Sequence, residues 1–139
     1  MRTTVLLVTL LLLSPFALAQ TPNIQAGEWE MTSTTSFPGT PMPEQSETVL
    51  ECLTEEEIQE GLAMDMDIEG CEMQSQDIRR DGMDYTLFCE QVDGMQMQMN
   101  ASFRFMGDRT EGRIDAQMET PMGPMEMQVE MSGHRVGDC

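Results

Sequence analysis

From residue 95 onward the chain alternates apolar and polar side chains with a period of two. Met95, Met97, Met99, Ala101, Phe103 and Phe105 share one face, and Gln96, Gln98, Asn100, Ser102 and Arg104 share the other. Past Gly107-Asp108, the residues Ile114, Ala116 and Met118 fall on the same apolar face, while Glu111, Arg113, Asp115, Gln117 and Glu119 point away. Met125, Met127, Val129 and Met131 then alternate with Glu126, Gln128 and Glu130. Alternate side chains of a strand point to opposite faces, so this pattern predicts half-buried antiparallel strands.

Turn signals bound these runs at hairpin spacing: Asp81-Gly82, Asp93-Gly94, Gly107-Asp108 and Thr120-Pro121-Met122-Gly123-Pro124. They delimit strands near 72–80, 83–92, 95–106, 109–119 and 125–136. The registers set by the turns agree with those set by hydrophobicity, and a slip of one residue would expose every core side chain. Upstream, Trp29, Met31 and Phe37 share a face in a strand near 27–37, a Pro-containing loop covers 38–43, and a strand near 46–52 ends at Cys52. Thr54 is placed to cap a short helix from Glu55 to about Ala63, with carboxylates in its first turn. A sheet that is apolar on one face, with a single short helix to cover it, has to curl on itself. The fold class is therefore mainly β: an antiparallel meander sheet curling into an open barrel or clam.

Composition narrows the partners. The chain has 139 residues, 25 of them acidic against 7 basic, all arginine, for a net charge of -18. That length suits one domain. Such a charge repels phosphate backbones and anionic lipid surfaces, so nucleic acid is excluded as a natural partner; an acidic, lysine-free surface also suits a saline habitat. Residues 1–19 read as a secretory signal, with Arg2, an apolar run from Val5 to Leu13, and small residues at Ala17 and Ala19. The run is shorter than the ~20 residues of a membrane-spanning helix, and Gln20 rather than a lipidated cysteine follows it. The expectation is a mature domain over 20–139, exported to the periplasm or secreted, with no membrane span.

Four cysteines, Cys52, Cys71, Cys89 and Cys139, then suggest two disulfides. Zinc is the competing reading, but there is no C-x-x-C spacing and His134 is the sole histidine. Cys71 and Cys89 flank a predicted hairpin, which pairs them with each other and Cys52 with Cys139. A strict two-residue turn at Asp81-Gly82 would put Cys89 opposite Gln74, so this pairing needs a bulge or a longer loop, and other connectivities stay open.

Three segments also carry a likeness. Ala26-Gly27-Glu28-Trp29-Glu30-Met31-Thr32, Cys52-Leu53-Thr54, and the ending Gly133-His134-Arg135-Val136-Gly137-Asp138-Cys139 resemble an exported bacterial family known as domain of unknown function 3617. The likeness spans nearly the whole segment after residue 19. It implies export and a compact disulfide-bearing domain, and it assigns no activity or site residue.

Methionine is the most unusual component, at 16 residues. Met95, Met97 and Met99, and Met122, Met125 and Met127, match the close thioether spacing of Cu(I) ligands, with His134 as the only imidazole to strengthen such a site. At period two the same residues fill a core face, where Met packs readily, so no metal is favoured. Asp65-Met66-Asp67-Ile68-Glu69-Gly70 copies the first half of a calcium loop, but Gln76 stands where the bidentate Glu belongs; an acidic solvated loop is the simpler reading. Nothing assembles a catalytic constellation: there is one histidine, no lysine and no G-x-S-x-G, and the abundant carboxylates offer no preferred pair. Arg135 is expected to pair with a carboxylate near Cys139. The leading expectation is a non-enzymatic binding module without a cofactor, enclosing a Met-lined apolar cleft for a small lipophilic molecule. Periplasmic copper handling and a structural role with Met as an oxidant trap are the alternatives. N-terminal sequencing of the exported protein is predicted to begin at Gln20, and thiol titration of unreduced protein to find no free thiol; two or more reactive thiols would refute the disulfides.

Overall fold

Five consecutive hairpin-linked strands dictate a meander, and the first two strands have to find an edge of it. The structure, a computed structural model, describes residues 21–60, 69–90 and 94–139. The strands are β1 (Gly27–Ser36), β2 (Gln45–Leu53), β3 (Cys71–Arg79), β4 (Gly82–Glu90), β5 (Gln96–Phe105), β6 (Arg109–Thr120) and β7 (Gly123–Gly137), with one helix, α1 (Glu55–Gln59), between β2 and β3. They form one seven-stranded antiparallel sheet in the order β2-β1-β7-β6-β5-β4-β3. The meander runs from β3 to β7, β1 adds to its far side, and β2 and β3 are left as edges. The sheet does not close, so the open clam describes it and a sealed barrel does not.

The register is the one that the alternation requires. Met97 pairs with Met118, Met99 with Ala116 and Ala101 with Ile114 across β5 and β6; Met118 pairs with Met125, Ala116 with Met127 and Ile114 with Val129 across β6 and β7. One face thus collects nearly every apolar side chain. Its core is Met83, Tyr85, Leu87, Ala101 and Phe105, with Ile24, Met73, Met99, Phe103 and Ile114 packed against it. The opposite face carries hydrogen-bonded polar pairs: Thr86 donates to Asn100, and Thr32 and Thr34 bond Thr48 and Ser46 across β1 and β2. Arg79 bridges Asp77, Asp81 and Asp84 there. Hydrogen bonds from Ser102 and Arg79 hold the Asp84 carboxyl below its usual range, and Arg113 does the same for Asp115. These pairs are solvated, and water screens them to little net stabilisation.

The chain before β1 closes one end. Asn23 N–H donates to the Arg80 carbonyl, Gln25 N–H to the Gly107 carbonyl, and Gly107 N–H to the Asn23 carbonyl. This ties residues 23–25 across the β3–β4 and β5–β6 turns, with Ile24 turned onto the core.

Two expectations are corrected in detail. The β3–β4 turn consists of Arg80-Asp81, because Arg79 pairs with Gly82, so Asp81-Gly82 is not the turn dipeptide. Gly82 is instead the first residue of β4, and a Cβ there would lie 2.4 Å from the Phe103 carbonyl oxygen. Its glycine serves a close backbone approach and not a left-handed turn. The helix ends at Gln59 with Glu60 as its C-cap, short of the expected Ala63; residues 61–63 lie outside the described residues, as do the signal segment 1–19 and Asp65 to Ile68 of the calcium-like loop. Thr54 is the N-cap as expected and forms a full capping box with Glu57.

Replacing Phe103 with Asp puts a carboxylate on the core face and is expected to cost about 3 kcal/mol or more. Ser102→Ala, on the wet face, loses one hydrogen bond to Asp84 and is expected to cost under about 1.5 kcal/mol. Thermal melts of the two variants check the register, and equal losses would show that it is wrong.

Candidate ligand-binding cleft

The curl of the sheet brings distant strands together. In a flat sheet β2 and β4 would stand about 24 Å apart, five strand spacings of about 4.8 Å. Here Leu53 at the end of β2 and Met83 on β4 line the same cleft, a space of about 740 Å³ on the concave face. Trp29, Phe103 and Phe105 supply its aromatic surface, and Glu51, Glu57 and Glu60 its charged groups.

Local chemistry places each of these. Trp29 is buried, and its indole N–H donates to the Gln25 carbonyl at 3.0 Å, which satisfies its one polar atom and leaves the ring as apolar surface. A bulge at Glu28/Trp29 sets its position against β7. Just before it, Gly27 has φ 145°, and a Cβ there would collide with the Arg135 guanidinium at 2.4 Å. That guanidinium donates from Nε to the Ala26 carbonyl at 2.7 Å and pairs with Asp138, as the sequence suggested. Two strand glycines make room for lining side chains. The Phe103 ring lies over Gly112, and the Met31 sulfur over Gly133; a Cβ at either glycine would meet them at 2.4 Å and 2.2 Å. Phe103 is further held by Tyr85, with ring centroids 6.1 Å apart.

The carboxylates come from two elements. Glu51 is opposite Trp29 on β2, and Glu57 and Glu60 are on and just after α1. Glu57 Oε2 accepts from the Thr54 backbone N–H and hydroxyl, both at 2.8 Å, which lowers the Glu57 pKa and keeps the group ionised at neutral pH.

Both expected cysteine pairs are at disulfide distance: Cys52–Cys139 with Cα atoms 5.6 Å apart and Cys71–Cys89 with Cα atoms 3.9 Å apart. The latter pairing depends on a bulge between Met73 and Ser75, which shifts the β3–β4 register so that Cys71 faces Cys89. Two such pairs point to an oxidising, non-cytoplasmic environment.

The expected Met lining is only partly found. Met31 and Met83 line the cleft, whereas Met97, Met99, Met118, Met125 and Met127 lie farther along the concave face. The reason is strand length. β1 ends at Ser36 opposite Gln128, so nothing on β1 stands beside Met125 and Met127. The thioethers instead form rows across strands, Met97–Met118–Met125 and Met99–Ala116–Met127. Met122, at the β6–β7 turn, is 92% exposed. His134 is not brought to them: it is exposed, pairs in register with Glu30 on the opposite face, and lies seven positions, roughly 23 Å, along β7 from Met127. Among the described residues no group of three or more His, Cys, Asp or Glu is placed to hold a metal, and no helix is long and apolar enough to cross a membrane.

Sequence reasoning missed Glu51, Met83 and Ile24 as lining residues. The β4 alternation Met83, Tyr85, Leu87, Cys89 was available as a signal; the segment before β1 carried none.

A family model described as a protein of unknown function, DUF3617, matches residues 24–139. No curated protein and no solved structure matches the chain.

Brief peroxide treatment with peptide mapping is expected to oxidise Met122 first and Met42 next, because sulfoxide formation follows access, with Met83 and the half-buried Met97, Met125 and Met127 slower. Fast oxidation at Met125 and Met127 that added Cu(I) suppresses would mean that those sulfurs are exposed metal ligands.

Proposed function

The chain belongs to the DUF3617 family of proteins of unknown function, and we propose that it acts after export as a non-enzymatic binding protein, holding one small lipophilic molecule in the concave cleft. The observation that carries this reading is the cleft itself. Its volume of about 740 Å³ falls within the ~300–1,000 Å³ typical of small-molecule sites. Its walls are aromatic and aliphatic, with the Trp29 indole N–H already satisfied, so an apolar guest finds surface without displacing a hydrogen bond. The glycines under Phe103 and Met31 let these two lining side chains lie close against the sheet. An oxidising environment, supported by the cysteine pairs, fits a domain working outside the cytoplasm.

Cu(I) handling is the second reading, favoured by one feature. Met97, Met118 and Met125 stand side by side on three adjacent strands, a soft donor set near the open end of the sheet.

The neutral dye N-phenylnaphthylamine tests the first reading. We expect binding at one site per chain, energy transfer from Trp29, and at least about ten-fold weaker binding in Leu53→Trp, which fills the cleft from the edge strand. Native mass spectrometry of protein purified from the periplasm should show a bound small molecule. Dye binding that neither quenches Trp29 nor responds to Leu53→Trp would place the guest elsewhere and overturn the proposal.

A further inference from the structure

Resting on the cleft reading, we propose that the preferred guest is a cationic amphiphile, with its ammonium head among Glu51, Glu57 and Glu60 and its apolar tail along Trp29, Phe103, Phe105 and Met83. The argument is charge complementarity. The described lining contains three carboxylates, one hydroxyl from Thr110 and no basic side chain. The chain has no lysine at all; Arg79 and Arg113 are committed to carboxylates on the opposite face, and Arg135, beside Trp29 on β7 but outside the lining, is committed to Asp138 and the Ala26 carbonyl. An anionic amphiphile such as a fatty acid would therefore meet uncompensated negative charge. A net charge of -18 adds a long-range field that gathers cations.

The geometry also selects the kind of cation. The three carboxylates are not grouped closely enough to hold a metal ion. They spread negative charge around an aromatic cavity, which suits a bulky, weakly hydrated ammonium. Such a head gives up little hydration on entry and is attracted to aromatic faces, Trp above all. Glu57 is anchored by Thr54, so its charge is held in place without a guest.

The test compares three probes that share a dodecyl chain: dodecyltrimethylammonium, a nonionic dodecyl ether and dodecyl sulfate. Each is used below its micelle concentration, in about 0.15 M salt to screen the general surface field to about 8 Å. Trp29 emission and native mass spectrometry read affinity and stoichiometry. We expect one ammonium ligand per chain, bound at least about ten-fold more tightly than the ether, and the sulfate weaker than both. Glu51→Gln/Glu57→Gln/Glu60→Gln should bring the ammonium down to the ether's affinity while the ether binds as before. Glu51→Gln/Glu60→Gln, which leaves the Thr54–Glu57 cap intact, should do most of this if the triple variant folds poorly. Glu126→Gln/Glu130→Gln, on the other face of β7, should leave the preference unchanged. Equal affinities for all three probes, or a preference that survives loss of the cleft carboxylates, would overturn the cationic inference and leave the cleft reading standing. Failure of every probe to bind would overturn the cleft reading itself.

Discussion

An antiparallel sheet with one apolar face must remove that face from water, and the described residues bring to the task one helix of five residues. The alternation from Met95 to Met131 creates the problem, and curvature is the available answer. The shape of the concave face follows from how far the curl succeeds. Where β1, β2 and α1 stand opposite β4 and β5, the face is deep and encloses a cleft. Where β7 runs on past the end of β1, the face is shallow and holds rows of half-buried methionine. A flexible, polarizable thioether tolerates that intermediate exposure better than a branched aliphatic or an aromatic ring would.

The disulfides hold an open sheet that has no closing hydrogen bonds between its edges. Cys52–Cys139 joins the end of edge strand β2 to the segment after β7 over a separation of 87 residues, and Cys71–Cys89 locks the other edge over 18. By the loop-entropy estimate these are worth about 4.5 and 3 kcal/mol, together comparable to the whole stability of many domains. Each lies at an edge, where a lone strand is free to fray. The Cys71–Cys89 pair also shows how closely register and covalent chemistry are linked: without the bulge between Met73 and Ser75, the two side chains would face opposite sides of the sheet.

The meander and its faces were legible because β5, β6 and β7 keep period two over most of their length and their turns are marked by Gly, Asp and Pro. The need for a bulge between Cys71 and Cys89 was legible as a conflict between two rules, though its position was not. What escaped the sequence depends on distant neighbours. Gly82 looks like a turn glycine and is in fact a contact glycine, because the Phe103 carbonyl lies where its Cβ would be. Gly112 and Gly133 look like weak points in strands and are the hollows beneath Phe103 and Met31. That β1 joins β7 and not β3 could not be read from local pattern, and it is this choice that brings Trp29 and Glu51 to face Met83 and Phe103.

The same choice explains why the cleft has its particular polarity. Strand β2 is an edge strand whose inward positions Glu47 and Glu51, on either side of Val49, put carboxylates where most of the sheet puts apolar side chains. On a buried strand such carboxylates would be costly. At an edge they discourage pairing with another sheet, and through the curl Glu51 also becomes part of the wall of the cleft. Thr54 then turns the chain into α1, whose first-turn glutamates offset the helix dipole; one of them, Glu57, and the C-cap Glu60 extend that acidic wall. A device that discourages pairing at an edge strand and a device for capping a short helix converge on one mouth. Their shared product is a cavity that is apolar within and negative at its rim.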